Sequence, residues 1–476
     1  MIDDGLLPLV DDLRDIKSVV SRAPEASSLH AVGIGEVVSG RGAVNTLGEV
    51  LARLGLEAQA SVVVLSDTVV KYCGGVDVLE IVRRALAGTY RLHEVRVAAQ
   101  APATVGHADE PTVADTVRRV AELAPRLLAT VGSGTMADIG KIVARDLDLR
   151  HVVVQTAASV NGFADDQSVL LINGAKRTTP SRWPDVVVVD TAVLADAPTA
   201  MNRSGLGDQV SMFTAAADWY LSGAVGFDRS YSPTLVGLMR RDFDELVARA
   251  ADLGRGDAQA IGALASALTT GGIAMGVAGR TAPSSGTEHV VSHLLEMNAD
   301  AAGRPSSSHG STVGVTSVLA TLAWQRVRER LRDGGARVNA PGDDVRGRVE
   351  RAFGHLDATG ATARECWTAY ERKLDWIRGH LDDLAAVVDH WSVHDEVVGG
   401  LLVSGGSLAA TLRAAQAPYT FAQLEPTPER DVVTWAVANC HLMRDRFTIV
   451  DLADLIGAWE TSDVAELLDE HDRLGQ

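Results

Sequence analysis

Apolar positions along the first 200 residues follow two alternating patterns. SVVVLSD (61–67), RLLATVG (126–132), HVVVQTA (151–157) and DVVVVD (185–190) are short Val-rich runs without strict alternation. Such runs read as strands covered on both faces. LHEVRVAA (92–99) reads as another strand, while VDVLEIVRRALAG (76–88) and VADTVRRVAELA (113–124) space their apolar residues at helical intervals. Strands alternating with helices predict a mainly parallel α/β sheet. After about Pro198 the pattern turns helical: MFTAAADWYLSGAV, DFDELVARAADLG, AQAIGALASALTTGGIAMGV and VTSVLATLAWQRVRERLRDGG. The reading is an α/β domain over 1–198 and an all-helical domain over 199–476, with GARVNAPGDD (335–344) as a long loop inside the latter.

Length agrees with two domains, because 476 residues exceed one simple core. A net charge of −18 argues against broad nucleic-acid or anionic-membrane binding but leaves room for an anionic small substrate at a local basic cluster. Three scattered cysteines, Cys73, Cys366 and Cys440, form no disulfide framework, so a cytoplasmic protein is expected. The acidic start MIDDGLLPLVDDLRD is no signal peptide, and no stretch reads as a bilayer span.

Chemistry enters at four places. VGSGTMADIGK (131–141) lies between a strand and a helix, where Gly132 and Gly134 would let a phosphate approach the helix N-terminus; a tight turn is the plainer reading. Asp67 ends a strand, where a carboxylate can accept from ribose hydroxyls or simply cap a turn. Asp208 in GLGDQ, His289 in SGTEHVVSH and His309 in SSSHGSTVG offer one carboxylate and two imidazoles, a donor set for a catalytic divalent metal. Each alone has a plainer reading: Asp208 as a cap at a helix start, His289 and His293 as a surface pair one turn apart, His309 as a solvated loop residue. Glu288 and Glu296 stand close enough in sequence to accept from imidazole N–H groups. Lys176-Arg177, with Arg182, lies in a turn-rich segment that reads as a hairpin and is a candidate for a substrate phosphate.

Together these motifs resemble the glycerol-1-phosphate dehydrogenase branch of the iron-containing alcohol dehydrogenase and dehydroquinate synthase-like superfamily. VGSGTMADIGK, TAASVNGFADDQSVLLINGAKRTTP, DTAVLADAPTAMNRSGLGDQVS, SGTEHVVSHLLEM, HGSTVGV and RDRFTIVDL carry the resemblance, in family order from about residue 30 to 455. It implies a Rossmann-like N-terminal domain plus an all-helical C-terminal domain. It implies Asp208, His289 and His309 as metal ligands, for zinc, nickel or iron, with His293 as a proton relay. Asp67, Gly132, Ser133, Gly134, Asp138, Thr156 and Ser159 map to NAD(H)- or NADP(H)-contacting positions, and Lys176 and Arg177 match a Lys-Arg pair of the branch. The implied reaction is reduction of dihydroxyacetone phosphate to sn-glycerol 1-phosphate, and relatives are commonly dimers or larger.

Two positions depart from the family pattern. Asn161 stands where Asp is usual, keeping size and hydrogen-bonding reach without charge, and Ser311 stands where Glu is frequent. Both bear on the substrate. The competing expectations are a dehydrogenase for a different polyol phosphate, a dehydroquinate synthase-like cyclase or lyase, and a nucleotide-binding paralogue without turnover.

Overall fold

Why the Val runs lack alternation is plain from their neighbours. In the computed structural model, six parallel strands form one sheet in the order Glu36–Gly40, Val186–Asp190, Arg150–Gln155, Leu127–Gly132, Ser61–Asp67, Arg91–Val97. Val62, Val64, Val152 and Val188 enter one core, while Val63, Leu65, Leu128 and Val95 enter another on the opposite face. Each apolar residue of a run is therefore buried, on alternate sides. The structure describes residues 9–98, 108–241 and 243–475. Parts of the N-terminal reading (1–8), the strand reading (Ala99) and one helix reading (Asp242) lie outside the described residues.

The basic segment forms the expected hairpin: Gln167–Ile172 pairs with Ala175–Pro180. Asn173 and Gly174 take φ of 49° and 77°, the left-handed pair that a two-residue hairpin turn requires. From residue 199 onward the described residues hold helices and no strand, and the loop before the helix Val345–Phe353 lies where the Gly/Pro-rich break was read.

The domain boundary differs from the expected division at 198/199. One compact unit comprises residues 1–172, 177–209 and 233–281; the other comprises 173–176, 210–232 and 282–476. Helices Thr199–Gln209 and Ala258–Ala278 thus belong with the α/β layer. Glycine explains their fit. A Cβ on Gly205 would lie 1.9 Å from the Ala158 carbonyl oxygen, and one on Gly272 would lie 2.4 Å from that of Asn161. Only bare backbone lets these helices close on the segment that follows the strand Arg150–Gln155.

Two stretches, 258–278 and 391–414, are long and apolar enough to cross a membrane by length and composition, which corrects the reading that none is. The first is 89% buried inside the protein, as a core helix is. The second is two helices, Trp391–Leu401 and Gly405–Ala414, separated by extended residues.

In the helical unit, the fully buried His471 has one ring nitrogen 3.3 Å from the Val315 carbonyl, and its pKa is pushed down to about 4, mainly by burial. A folded-state pKa below the unfolded value means that the unfolded chain binds the extra proton first. The resulting stability is complete above about pH 6.5 and is lost as pH falls toward 4, roughly 3 kcal/mol in all. Denaturant melts of His471→Leu at several pH values are expected to show a flatter acid limb than the wild type. Identical limbs would refute this source of acid lability.

Candidate active site

In the α/β unit, the strand Leu127–Gly132 runs straight into the helix Gly134–Asp146. Cβ atoms at Gly132 and Gly134 would meet Met136 at 2.5 Å and Val160 at 2.8 Å, so the turn has no room for side chains at either position. Ser133 caps this helix without a side-chain hydrogen bond, so no side chain of the cap takes up the first-turn N–H groups that an anion would use. Asp138 lies half-buried on the same helix, and its carbonyl accepts from Ser168 Oγ at 3.2 Å. Thr156, Ser159 and Asn161 are buried in the segment after the strand Arg150–Gln155, and the Thr156 N–H donates to the Gly132 carbonyl at 3.1 Å.

That same segment reaches Asp208. The Asn161 backbone N–H donates to Asp208 Oδ2 at 2.9 Å, and the Ala158 N–H donates to Asn202 Oδ1 at 3.0 Å. Asp208 is fully buried. It is the next-to-last residue of the helix Thr199–Gln209, which corrects the reading of a helix start. Gly205 and Gly207 both lie inside this helix, and Gly205 meets the Ala158 carbonyl at close range.

Asp67 ends its strand as expected. Its Oδ1 accepts from the Val69 N–H at 2.8 Å and from Lys71 Nζ at 2.5 Å, so the carboxylate also serves the plainer, turn-forming role.

In the helical unit, the helix Thr287–Ala301 carries His289 and His293, and His309 opens the helix His309–Arg332. The three rings converge: centroids of His289 and His309 are 5.3 Å apart, those of His293 and His309 5.4 Å, those of His289 and His293 6.0 Å. His289 Nδ1 lies 3.0 Å from Glu288 Oε1, and His309 Nδ1 lies 2.7 Å from Glu296 Oε1. Carboxylates only accept, so each Nδ1 is the donor and each Nε2 is left with its lone pair. The sequence expectation for Glu288 and Glu296 thus has its geometry. Both glutamates are themselves held: Thr214 Oγ1 donates to Glu288 Oε2 at 2.7 Å, and Ser292 Oγ donates to Glu296 Oε1 at 3.0 Å.

His293 is buried, and its Nδ1 has no hydrogen-bond partner among the described residues. Burial first, then the Lys176 ammonium and the neighbouring histidines, hold its pKa well below the ordinary imidazole value. Lys176 forms an ion pair with Glu296 Oε2, so this ammonium is already engaged by a carboxylate that orients His309. Arg177 follows on the same hairpin strand, half-buried.

Three buried ionic groups escaped sequence reasoning. Lys141 Nζ donates to the Gly162 carbonyl at 2.8 Å, to Asp165 Oδ1 at 2.5 Å and to the Gln167 carbonyl. Asp218 accepts from the Thr287 N–H at 2.7 Å and the Ile449 N–H at 2.9 Å, which pins the starts of two helices. Burial, then the nearby Glu288 carboxylate, pushes Asp218 up to about 7. Lys373 pairs with Asp451 at 2.6 Å and donates to the His441 carbonyl, also at 2.6 Å. Partners that are far apart in sequence leave no local signature.

The donor chemistry fits both groups that the sequence implies. Two imidazoles with unprotonated Nε2 atoms and a buried carboxylate suit a borderline divalent ion. A glycine turn into a helix without a side-chain cap suits a pyrophosphate.

A profile of the iron-containing alcohol dehydrogenases matches residues 38–198. The glycerol-1-phosphate dehydrogenase [NAD(P)+] of Geobacillus thermodenitrificans is 34% identical over 197 residues, 41% of this chain and 48% of that protein. The chain therefore spans about half the length of this relative. That of Natronomonas pharaonis is 30% identical over 262 residues, covering 53% of this chain and 72% of its own length. That of Methanothrix thermoacetophila is 28% identical over 310 residues, 64% and 82% respectively. In fold, the glycerol dehydrogenase of Schizosaccharomyces pombe matches with a TM-score of 0.58 at 15% identity, over 92% of this chain and 89% of that one.

Proposed function

We propose, for a chain that belongs to the glycerol-1-phosphate dehydrogenase branch of the iron-containing alcohol dehydrogenases, metal-dependent reduction of dihydroxyacetone phosphate to sn-glycerol 1-phosphate with NADH or NADPH. Asp208, His289 and His309 hold one divalent ion, with zinc the first choice and nickel or iron the alternatives. The single observation that carries this is the pair of carboxylate-oriented histidines, Glu288–His289 and Glu296–His309. Both imidazoles are fixed in the tautomer that a metal requires.

When bound, the ion supplies Lewis-acid polarisation of the substrate oxygen and the dinucleotide supplies hydride. The chain does the rest. Residues 132–134 and the first turn of their helix take the pyrophosphate through backbone N–H groups, with Asp138, Thr156 and Ser159 around the cofactor and Asp67 at its ribose. Lys176 and Arg177 carry the substrate phosphate, Lys176 being held in place by Glu296. His293 relays a proton to the product oxygen, directly or through water, one ring nitrogen releasing the proton as the other takes one up from solvent. Asn161 donates its side-chain amide to the substrate, while its backbone N–H fixes Asp208.

The test follows oxidation of NADH or NADPH by the purified protein, supplied with zinc, nickel or iron and dihydroxyacetone phosphate. Metal-dependent oxidation with phosphate retained is expected. Silence toward a panel of phosphorylated ketones would sink the proposal, and phosphate release without net cofactor change would favour a cyclase or lyase. Asn161→Asp exchanges a donor for a second charge and is expected to lower kcat/KM on dihydroxyacetone phosphate on the order of tenfold or more. A sharp rise instead would point to a different polyol phosphate as the natural substrate.

A further inference from the structure

We infer that Lys71, backed by Arg96, makes the Asp67 end of the nucleotide site accept a 2′-phosphorylated ribose, so that NADPH serves as well as NADH. The inference rests on the dinucleotide reading above and adds the residues that set cofactor choice. The strand Ser61–Asp67 lies directly beside the strand that feeds the glycine turn, with Ser66 opposite Val131. Its carboxyl end is therefore adjacent to the proposed pyrophosphate site, where the adenosine ribose belongs in a sheet of this kind.

A bare carboxylate there accepts from a 2′-hydroxyl and repels a 2′-phosphate. This carboxylate is not bare. Lys71 Nζ lies 2.5 Å from Asp67 Oδ1 and 2.9 Å from the Val69 carbonyl, so the ammonium is tied to the turn by two contacts. From the neighbouring strand, Arg96 Nη1 donates to the Asp67 carbonyl at 3.1 Å. Lys71 thus pairs with the Asp67 carboxylate, while Arg96 holds the backbone carbonyl of the same residue and also reaches Glu94 Oε2 at 3.4 Å. Lys71 neutralises Asp67 when the ribose is unmodified, and can turn to a 2′-phosphate, joined by the Arg96 guanidinium.

The surrounding turn adds an apolar contribution. Val69, Val70 and Tyr72 are exposed by 57%, 49% and 56%, three of the six exposed large hydrophobic residues among those described. Their gathering in the turn that holds Lys71 supplies a surface for the adenine ring.

The test is calorimetric binding of adenosine 5′-monophosphate and adenosine 2′,5′-bisphosphate to the full chain, with no turnover needed. The wild-type protein is expected to bind both. Lys71→Ala is expected to weaken the bisphosphate about tenfold or more, as for loss of a charge-assisted bond, and to leave the monophosphate within about twofold. Lys71→Arg should retain the bisphosphate, which separates loss of charge from loss of fold, and Arg96→Lys should weaken it less than Lys71→Ala. Equal bisphosphate affinity in wild type and Lys71→Ala overturns the inference. So does a wild type that binds only the monophosphate, although the dinucleotide reading then stands. Binding of neither overturns the dinucleotide reading and this inference with it.

Discussion

His289→Ala and Asp208→Ala are each expected to lose the metal and to cut kcat/KM for the ketone on the order of a thousandfold or more. An ion that stabilises developing charge on oxygen contributes several kcal/mol to the barrier, and each 1.36 kcal/mol is a factor of ten. The check is metal content per chain after gel filtration, alongside steady-state rates with the ion resupplied. His289 and His309 come from one compact unit and Asp208 from the other. The two variants therefore test separate halves of the ligand set. Loss of metal in His289→Ala with full retention in Asp208→Ala would remove the carboxylate from the set. Glu288→Gln should fall between wild type and His289→Ala, about 10- to 100-fold in metal affinity, because it only loosens the ring that His289 presents.

The sequence was readable where a residue's role depends on its near neighbours. Val runs such as 186–189 announce strands buried on both faces, and Asn173-Gly174 announces its turn. Glu288 and Glu296 could be matched to histidines because the pairs are 1 and 13 residues apart. It was unreadable where the partner is remote. Nothing near Lys176 in sequence shows that Glu296, 120 residues away, holds its ammonium. Periodicity shows that 199–209 and 258–278 are helices but not which layer they cover; that depends on glycines meeting carbonyl oxygens of Ala158 and Asn161. The position of Asp208 was hidden because Gly205 and Gly207, two glycines inside a helix, imitate a helix start.

Lys141→Met is expected to destabilise the α/β unit by about 3–5 kcal/mol, the usual cost of leaving a buried charge without its partner. Lys141 is fully buried, and its ammonium is the only cation in contact with the equally buried Asp165 among the described hydrogen bonds and ion pairs. Burial, more than any other influence, raises the Asp165 pKa even with the lysine present. A carboxyl whose folded-state pKa is raised holds its proton more tightly when folded, so its unfavourable contribution grows as pH rises through that pKa and fades below it. Denaturant melts should accordingly show the Lys141→Met defect shrinking as the solution is acidified. Lys141→Met/Asp165→Leu should recover most of the loss, since an apolar pair can replace a buried ion pair at little cost. A double variant as unstable as the single would show that the lysine acts through the Gly162 and Gln167 carbonyls instead. Those carbonyls lie in the segment that follows Asn161, so the recovered double variant also asks whether that segment needs the clamp to keep Asn161 on Asp208. Stability restored with metal content still low would place Lys141 as a positioning residue for the Asp208 ligand.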